Sequence, residues 1–85
     1  MIRMTEQGIR DLVASRVVEN ELRGLKGLDF VCARSSGKWV LTFVIDGSTS
    51  IRMRSQREDD RTFASIDSAY KVASSIVNSM TVIGK

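Results

Sequence analysis

Six basic side chains crowd the middle of the chain: Arg34, Lys38, Arg52, Arg54, Arg57 and Arg61. Cations at this density suit one chemistry above others, the neutralisation of phosphate, and arginine adds forked contacts to base edges. Four of them lie in the stretch RMRSQREDDRTFASIDSAY, residues 52–70, around Glu58, Asp59 and Asp60. Three consecutive carboxylates do not converge on one point, so this cluster reads as a solvated loop. Arg57 and Arg61 then either pair locally with Asp59 or Asp60 and stiffen the turn, or face a phosphate.

Other chemistries lack their residues. The chain has no histidine, which removes the side chain used most for proton transfer near neutral pH and the common zinc arrangements with it. Cys32 is the single cysteine, so there is no internal disulfide, and its place in the apolar string LDFVCA marks a buried core thiol. No nucleophile–base pair or ligand cluster is evident. The expectation is a protein that is not an enzyme, with no catalytic residues, no metal, no cofactor and no small-molecule substrate.

The elements that must hold the cations follow from length and pattern. At 85 residues the chain is one small domain, about the size at which a single core suffices. A net charge of +3 permits nucleic-acid binding without requiring it. No apolar run approaches the ~18 residues of a membrane span, so no membrane partner is expected. Charges in the opening MIRMTEQGIRD stand where a signal peptide would be apolar, which makes cytoplasmic residence the expectation.

Thr5 is a good N-cap with Glu6 in the first turn, and Ile9, Leu12, Val13, Val17, Leu22 and Leu25 recur at helical period, predicting a helix over 6–23. Glu6–Arg10 and Glu19–Arg23 are i,i+4 pairs, and Gly24 and Gly27 end the helix. Two runs rich in aromatic and β-branched residues, LDFVCAR and KWVLTFVI, flank SSG as a hairpin would, giving strands at 28–34 and 38–45. Pairing Arg34 with Trp39 sets Cys32 against Leu41, Phe30 against Phe43 and Leu28 against Ile45, all on one side.

A third strand, 49–55, follows the turn at IDGS. A two-residue Asp46-Gly47 turn would put Arg52 and Arg54 on the aromatic side, and burying two unpaired arginines costs several kcal/mol. A three-residue loop, Ile45-Asp46-Gly47, instead sets Ile51 opposite Leu41 and Met53 opposite Trp39. Ser65 caps a second helix over 66–79, with Ile66, Ala69, Tyr70, Ala73, Ile76, Val77 and Met80 as its buried stripe. The terminal TVIGK is either a short edge strand or an ordered tail.

The predicted fold is α+β, a single α-β-β-β-α domain at 1–85, whose three-stranded antiparallel meander is packed on one face by both helices. Leu28, Phe30, Cys32, Trp39, Leu41, Phe43, Ile51 and Met53 face the helices. Asp29, Val31, Ala33, Val40, Thr42, Val44, Ser50, Arg52 and Arg54 face the other way. With an apolar middle at Val31, Val40, Thr42 and Val44, that second face suits a homodimer or a protein partner, unless the terminal segment or a loop covers it.

The element order resembles double-stranded-RNA-binding domains, but the loop SSGK and the helix start SIDSAYK lack that family's histidine loop and lysine cluster. With Phe30, Trp39 and Phe43 on the core face, the stacking platform of RNA-recognition motifs is missing too. A three-strand-plus-helix reader of the arm-type integrase kind would lay the sheet in the major groove of DNA, with Arg34, Lys38, Arg52 and Arg54 as contacts. The alternative is that arginines on an exposed strand solubilise and protect an edge.

RMRSQREDDRTFASIDSA is similar to a run in ParC-like partition-associated proteins of proteobacterial plasmids and integrated elements. There a strand ends in an aliphatic residue, Gln-Arg follows, and a spacer leads to Arg-x-Phe and a Ser-Leu-Asp-like helix start. The counterparts are Met53, Gln56-Arg57, Arg61-Thr62-Phe63 and Ser65-Ile66-Asp67, with Glu58 where many members have glycine. GKWVLTFVIDG and a leading helix extend the resemblance over most of the chain. It implies an accessory factor of a mobile element and no assigned activity. Two readings stand: nucleic-acid binding, DNA over RNA, through the basic residues, or a homodimer or interaction module (an inhibitor or adaptor of a host protein included) using the open face.

Overall fold

A computed structural model describes residues 2–19, 27–57, 59–77 and 79–84, the side chains of 16–19 excepted. It is an α+β domain with two helices and a mixed sheet. The elements are β1 (Ile2–Thr5), α1 (Glu6–Glu19), β2 (Leu28–Ser35), β3 (Lys38–Ile45), β4 (Thr49–Arg54), β5 (Thr62–Phe63), α2 (Ile66–Ser74) and β6 (Met80–Ile83).

The expected meander forms the centre of the sheet. β2 and β3 pair in the anticipated register: Arg34 with Trp39, Cys32 with Leu41, Phe30 with Phe43 and Leu28 with Ile45. The turn enforces it. Ser36 and Gly37 have φ of 52° and 80°, the two left-handed residues that match a tight hairpin to the twist of its strands. The β3–β4 turn has three residues, but they are Asp46, Gly47 and Ser48, because Ile45 pairs with Thr49. Asp46 and Gly47 take the positive φ, and the register is two residues from the expected one. Ile51 therefore lies opposite Phe43 rather than Leu41. A slip of two keeps every side chain on its face, so Ile51 and Met53 are buried as anticipated.

Three strands were not anticipated as such, and they change the α-β-β-β-α order. β1 pairs in parallel with β4, Ile2 with Ile51 through Thr5 with Arg54. β6 realises the strand alternative for the terminal segment, parallel to β2 with Phe30 against Met80. The sheet order is β1-β4-β3-β2-β6. β5 pairs with the start of β3, Trp39 with Phe63 and Val40 with Thr62, while a single bridge joins Arg54 to Asp60. β3 thus changes partner along its length, from β4 to β5. The sheet is mixed, with the meander inside it, and β4 is no edge: β1 covers its outer side.

α1 starts where Thr5 Oγ1 accepts the Gly8 N–H at 3.2 Å. The last predicted turn, residues 20–23, lies outside the described residues, and with it Leu22, Leu25 and the Glu19–Arg23 pair. α2 starts where Ser65 Oγ accepts the Ser68 N–H at 3.2 Å and stops at Ser74, five residues before the expected end. There Ile76 and Val77 both donate to the Ala73 carbonyl, tightening the last turn. Val77 is still buried, whereas Tyr70 is 54% exposed. Tyr70 is not part of the buried stripe.

α1 packs on β1 and β4, and α2 on β2, β3, β5 and β6. Between helices and sheet lies one core: Ile9 and Val13 from α1, Ala69 and Ala73 from α2, and Phe30, Cys32, Leu41, Phe43, Ile51 and Met53 from the strands. Phe30 and Phe43 meet with ring centroids 5.1 Å apart. Phe63 is buried with them. Among the described residues no helix is long and apolar enough to cross a membrane.

Candidate nucleic-acid interface and the open sheet face

Strand direction determines where the basic residues gather. β1, β2, β4 and β6 run one way and β3 the other. The last residues of β2 and β4, the first of β3 and the loop after β4 therefore share one end of the sheet. Arg34, Lys38, Arg54 and Arg57 belong to that end, and Arg61 follows one step inward, its N–H donating to the Met53 carbonyl at 3.1 Å. The amino terminus of α1 opens there as well. An open cleft of about 380 Å³ lies between the two, lined by Thr5, Glu6, Gln7, Arg54, Ser55, Gln56 and Arg61.

Arg52 stands apart, within the sheet on the open face. Its Nε donates to Thr42 Oγ1 at 2.9 Å and its Nη1 to Asp60 Oδ2 at 3.0 Å. Asp60 Oδ1, buried and without a hydrogen bond, has the Arg3 guanidinium at 3.4 Å. Asp60 thus serves Arg52 and Arg3 rather than Arg57 or Arg61.

Arg61 instead joins Glu6 at the start of α1 and lies over the Phe63 ring at 5.2 Å. Glu6 also accepts from Arg10 Nε at 3.0 Å, the i,i+4 pair read from spacing. Arg10 reaches on to Ser75, with Nη2 2.6 Å from its Oγ and Nη1 3.3 Å from its carbonyl. Burial by itself raises the Glu6 carboxyl, but the hydrogen bonds and charges of Arg10 and Arg61 outweigh it and hold the group below its ordinary 4.5. One carboxylate so ties the β4–β5 loop to α1 and, through Arg10, to the end of α2.

Each predicted site residue can now be placed. Lys38 and Arg57 are exposed at the basic end. Arg34 is exposed too, but it shares the face of Phe30 and Cys32 and lies 5.9 Å over the Trp39 ring. It is on the opposite face from Arg52. Arg54 donates to the Ser55 carbonyl at 3.2 Å. Arg52 and Arg61 are committed to internal carboxylates and act first as struts. Arg3 and the Glu6–Arg61 pair had no sequence signal, because each depends on contacts between distant segments.

The open face has legible rows. Across the sheet run Arg3, Arg52, Thr42, Val31 and Thr81, and one step away Ser50, Val44 and Asp29. Val31, Ala33, Thr42 and Val44 are half-buried and Ile83 is 54% exposed. Val40 is only 2% exposed, enclosed between its cross-strand partners Ala33 and Thr62. Expected as an interface residue, Val40 is instead part of the sheet's own packing, since β5 lies against it. Among the described residues both helices pack on the other face. No family model matches the chain, and no curated protein or solved structure matches it.

Proposed function

We propose that the chain is a non-enzymatic accessory factor that binds nucleic acid, duplex DNA foremost, along the basic end of its sheet. The observation that carries this reading is the convergence of Arg34, Lys38, Arg54 and Arg57 at one end through strand direction alone. Two of the residues first considered, Arg52 and Arg61, hold internal carboxylates, so the phosphate contacts fall to the other four. The similarity of residues 52–69 to ParC-like plasmid proteins suggests a mobile-element setting for the same activity.

Counterion release gives the test its magnitude. Three or four phosphate contacts predict that the logarithm of the binding constant falls against the logarithm of salt with a slope of about −3. Anisotropy of a short labelled duplex, titrated with protein at several salt concentrations, measures it. Lys38→Ala with Arg57→Ala should flatten the slope by about 2 and weaken binding alike for all sequences, while Lys71→Ala on α2 should leave it unchanged. Absence of binding at low salt, or a slope indifferent to Lys38 and Arg57, refutes the proposal.

A further inference from the structure

The nucleic-acid reading uses the open face only at its end, where Arg54 lies, and leaves its apolar middle unassigned. We infer that this face is covered by a second copy of this chain, in a dimer whose two-fold axis runs along β3.

Three observations converge on it. The first is shape and chemistry. β3 is the middle strand of the order β1-β4-β3-β2-β6, and its outward Thr42 and Val44, with Val31, Ala33 and Ile83, present β-branched and small apolar groups on the face that, among the described residues, neither helix covers. Two such faces pack as aligned sheets about 10 Å apart, crossing by roughly 30°.

The second is charge. On this face, among the described residues, the β1–β4 side carries Arg3, Arg52 and Arg54 together with Asp60. The β2–β6 side carries Asp29, which accepts from Ser79 Oγ at 2.6 Å and Thr81 Oγ1 at 3.0 Å. An axis along β3 lays the basic side of one copy over the Asp29 side of the other. An axis across the strands stacks Arg3 and Arg52 on their own copies instead. Complementarity therefore selects the first arrangement.

The third is extent. Five strands at ~4.8 Å and about six residues at ~3.3 Å give a face of roughly 500 Å² in projection. That is short of the ~800 Å² per partner of a standard interface, so the dimer is reversible and concentration-dependent. An axis along the strands also keeps both basic ends side by side.

Sedimentation equilibrium of the intact chain over a wide concentration range should show a reversible rise toward twice the chain mass. Val44→Lys should weaken the association at least tenfold, and circular dichroism should show the variant folded. Asp29→Arg should weaken it as well. Because Cys32 is buried, cysteines introduced one at a time report proximity. Thr42→Cys and Val44→Cys should both form disulfide-linked dimers under mild oxidation, as two positions on one axis, while Tyr70→Cys on the far side of α2 should not. A mass that stays monomeric at every concentration overturns the proposal. So does an unweakened Val44→Lys dimer, or cross-linking at only one of the two β3 positions, which marks an axis across the strands.

Discussion

Replacing Glu6 with glutamine tests how the basic loop is held. The carboxylate accepts from Arg10 and from Arg61 and is itself about one-quarter exposed. A neutral amide keeps the size, loses the charge, and turns one acceptor into a donor facing two cations. Hydrogen bonds to charged groups contribute ~1.5–3 kcal/mol each when well shielded. Here the arginine side chains are 35% and 38% exposed, so water and salt screen both pairs, and a discounted total of about 1–2 kcal/mol is expected. For a domain of this size that lowers Tm by roughly 4–16 °C at neutral pH.

The pH dependence supplies the sharper check. Because folding lowers the Glu6 pKa, its contribution is present above the unfolded value near 4.5 and is lost as pH falls through the folded value. Thermal melts of wild type and Glu6→Gln should be well separated at pH 7. They should converge only as the solution is acidified through the folded value, which lies below 4.5, where the wild-type side chain becomes neutral as well. Equal stability at pH 7, or a gap that persists unchanged in acid, would falsify the account of Glu6 as the charged tie between loop and helix.

Two further outcomes follow from the core. Phe43 is fully buried against Phe30, so Phe43→Ala should cost about 3–5 kcal/mol, measured as a shift in urea midpoint with little change in slope; a loss below 1 kcal/mol would mean the two rings are not the centre of the core. Burial raises the Cys32 thiol above its ordinary 9.0, so an aromatic disulfide reagent at pH 8 should label it only through unfolding, and rapid labelling of native protein would show that β2 opens locally.

How far the sequence could be read depended on whether a signal was local. The β2–β3 register was legible because two alternations and the Ser36-Gly37 turn agree within one hairpin. The β3–β4 turn was legible only to parity, since a two-residue slip preserves every face and pattern cannot detect it. β1 offers four residues, IRMT, and β5 two; neither carries a period, and both are strands only because distant segments pair with them. The end of α2 was misplaced because Ile76 and Val77 stay apolar through the tight turn that terminates the helix. Among the cations, direct spacing finds Glu6–Arg10, whereas the pairing of Asp60 with Arg52 and Arg3 has no local signal, and spacing offers only Arg57 and Arg61 as neighbours.

The parallel pairing of both outer strands bears on how the sheet assembles. β2, β3 and β4 are joined by turns of two and three residues, but Ile2 meets Ile51 and Phe30 meets Met80, partners about fifty residues apart. Closing loops of that length costs roughly 3–4 kcal/mol of chain entropy before any contact repays it, several times the cost of closing a turn of two or three residues. The hairpins can therefore zip first, and each outer strand has a binding edge only once they have done so. Both outer strands then follow, with the two helices as their crossovers, and the high contact order places this small domain among the slower folders of its size.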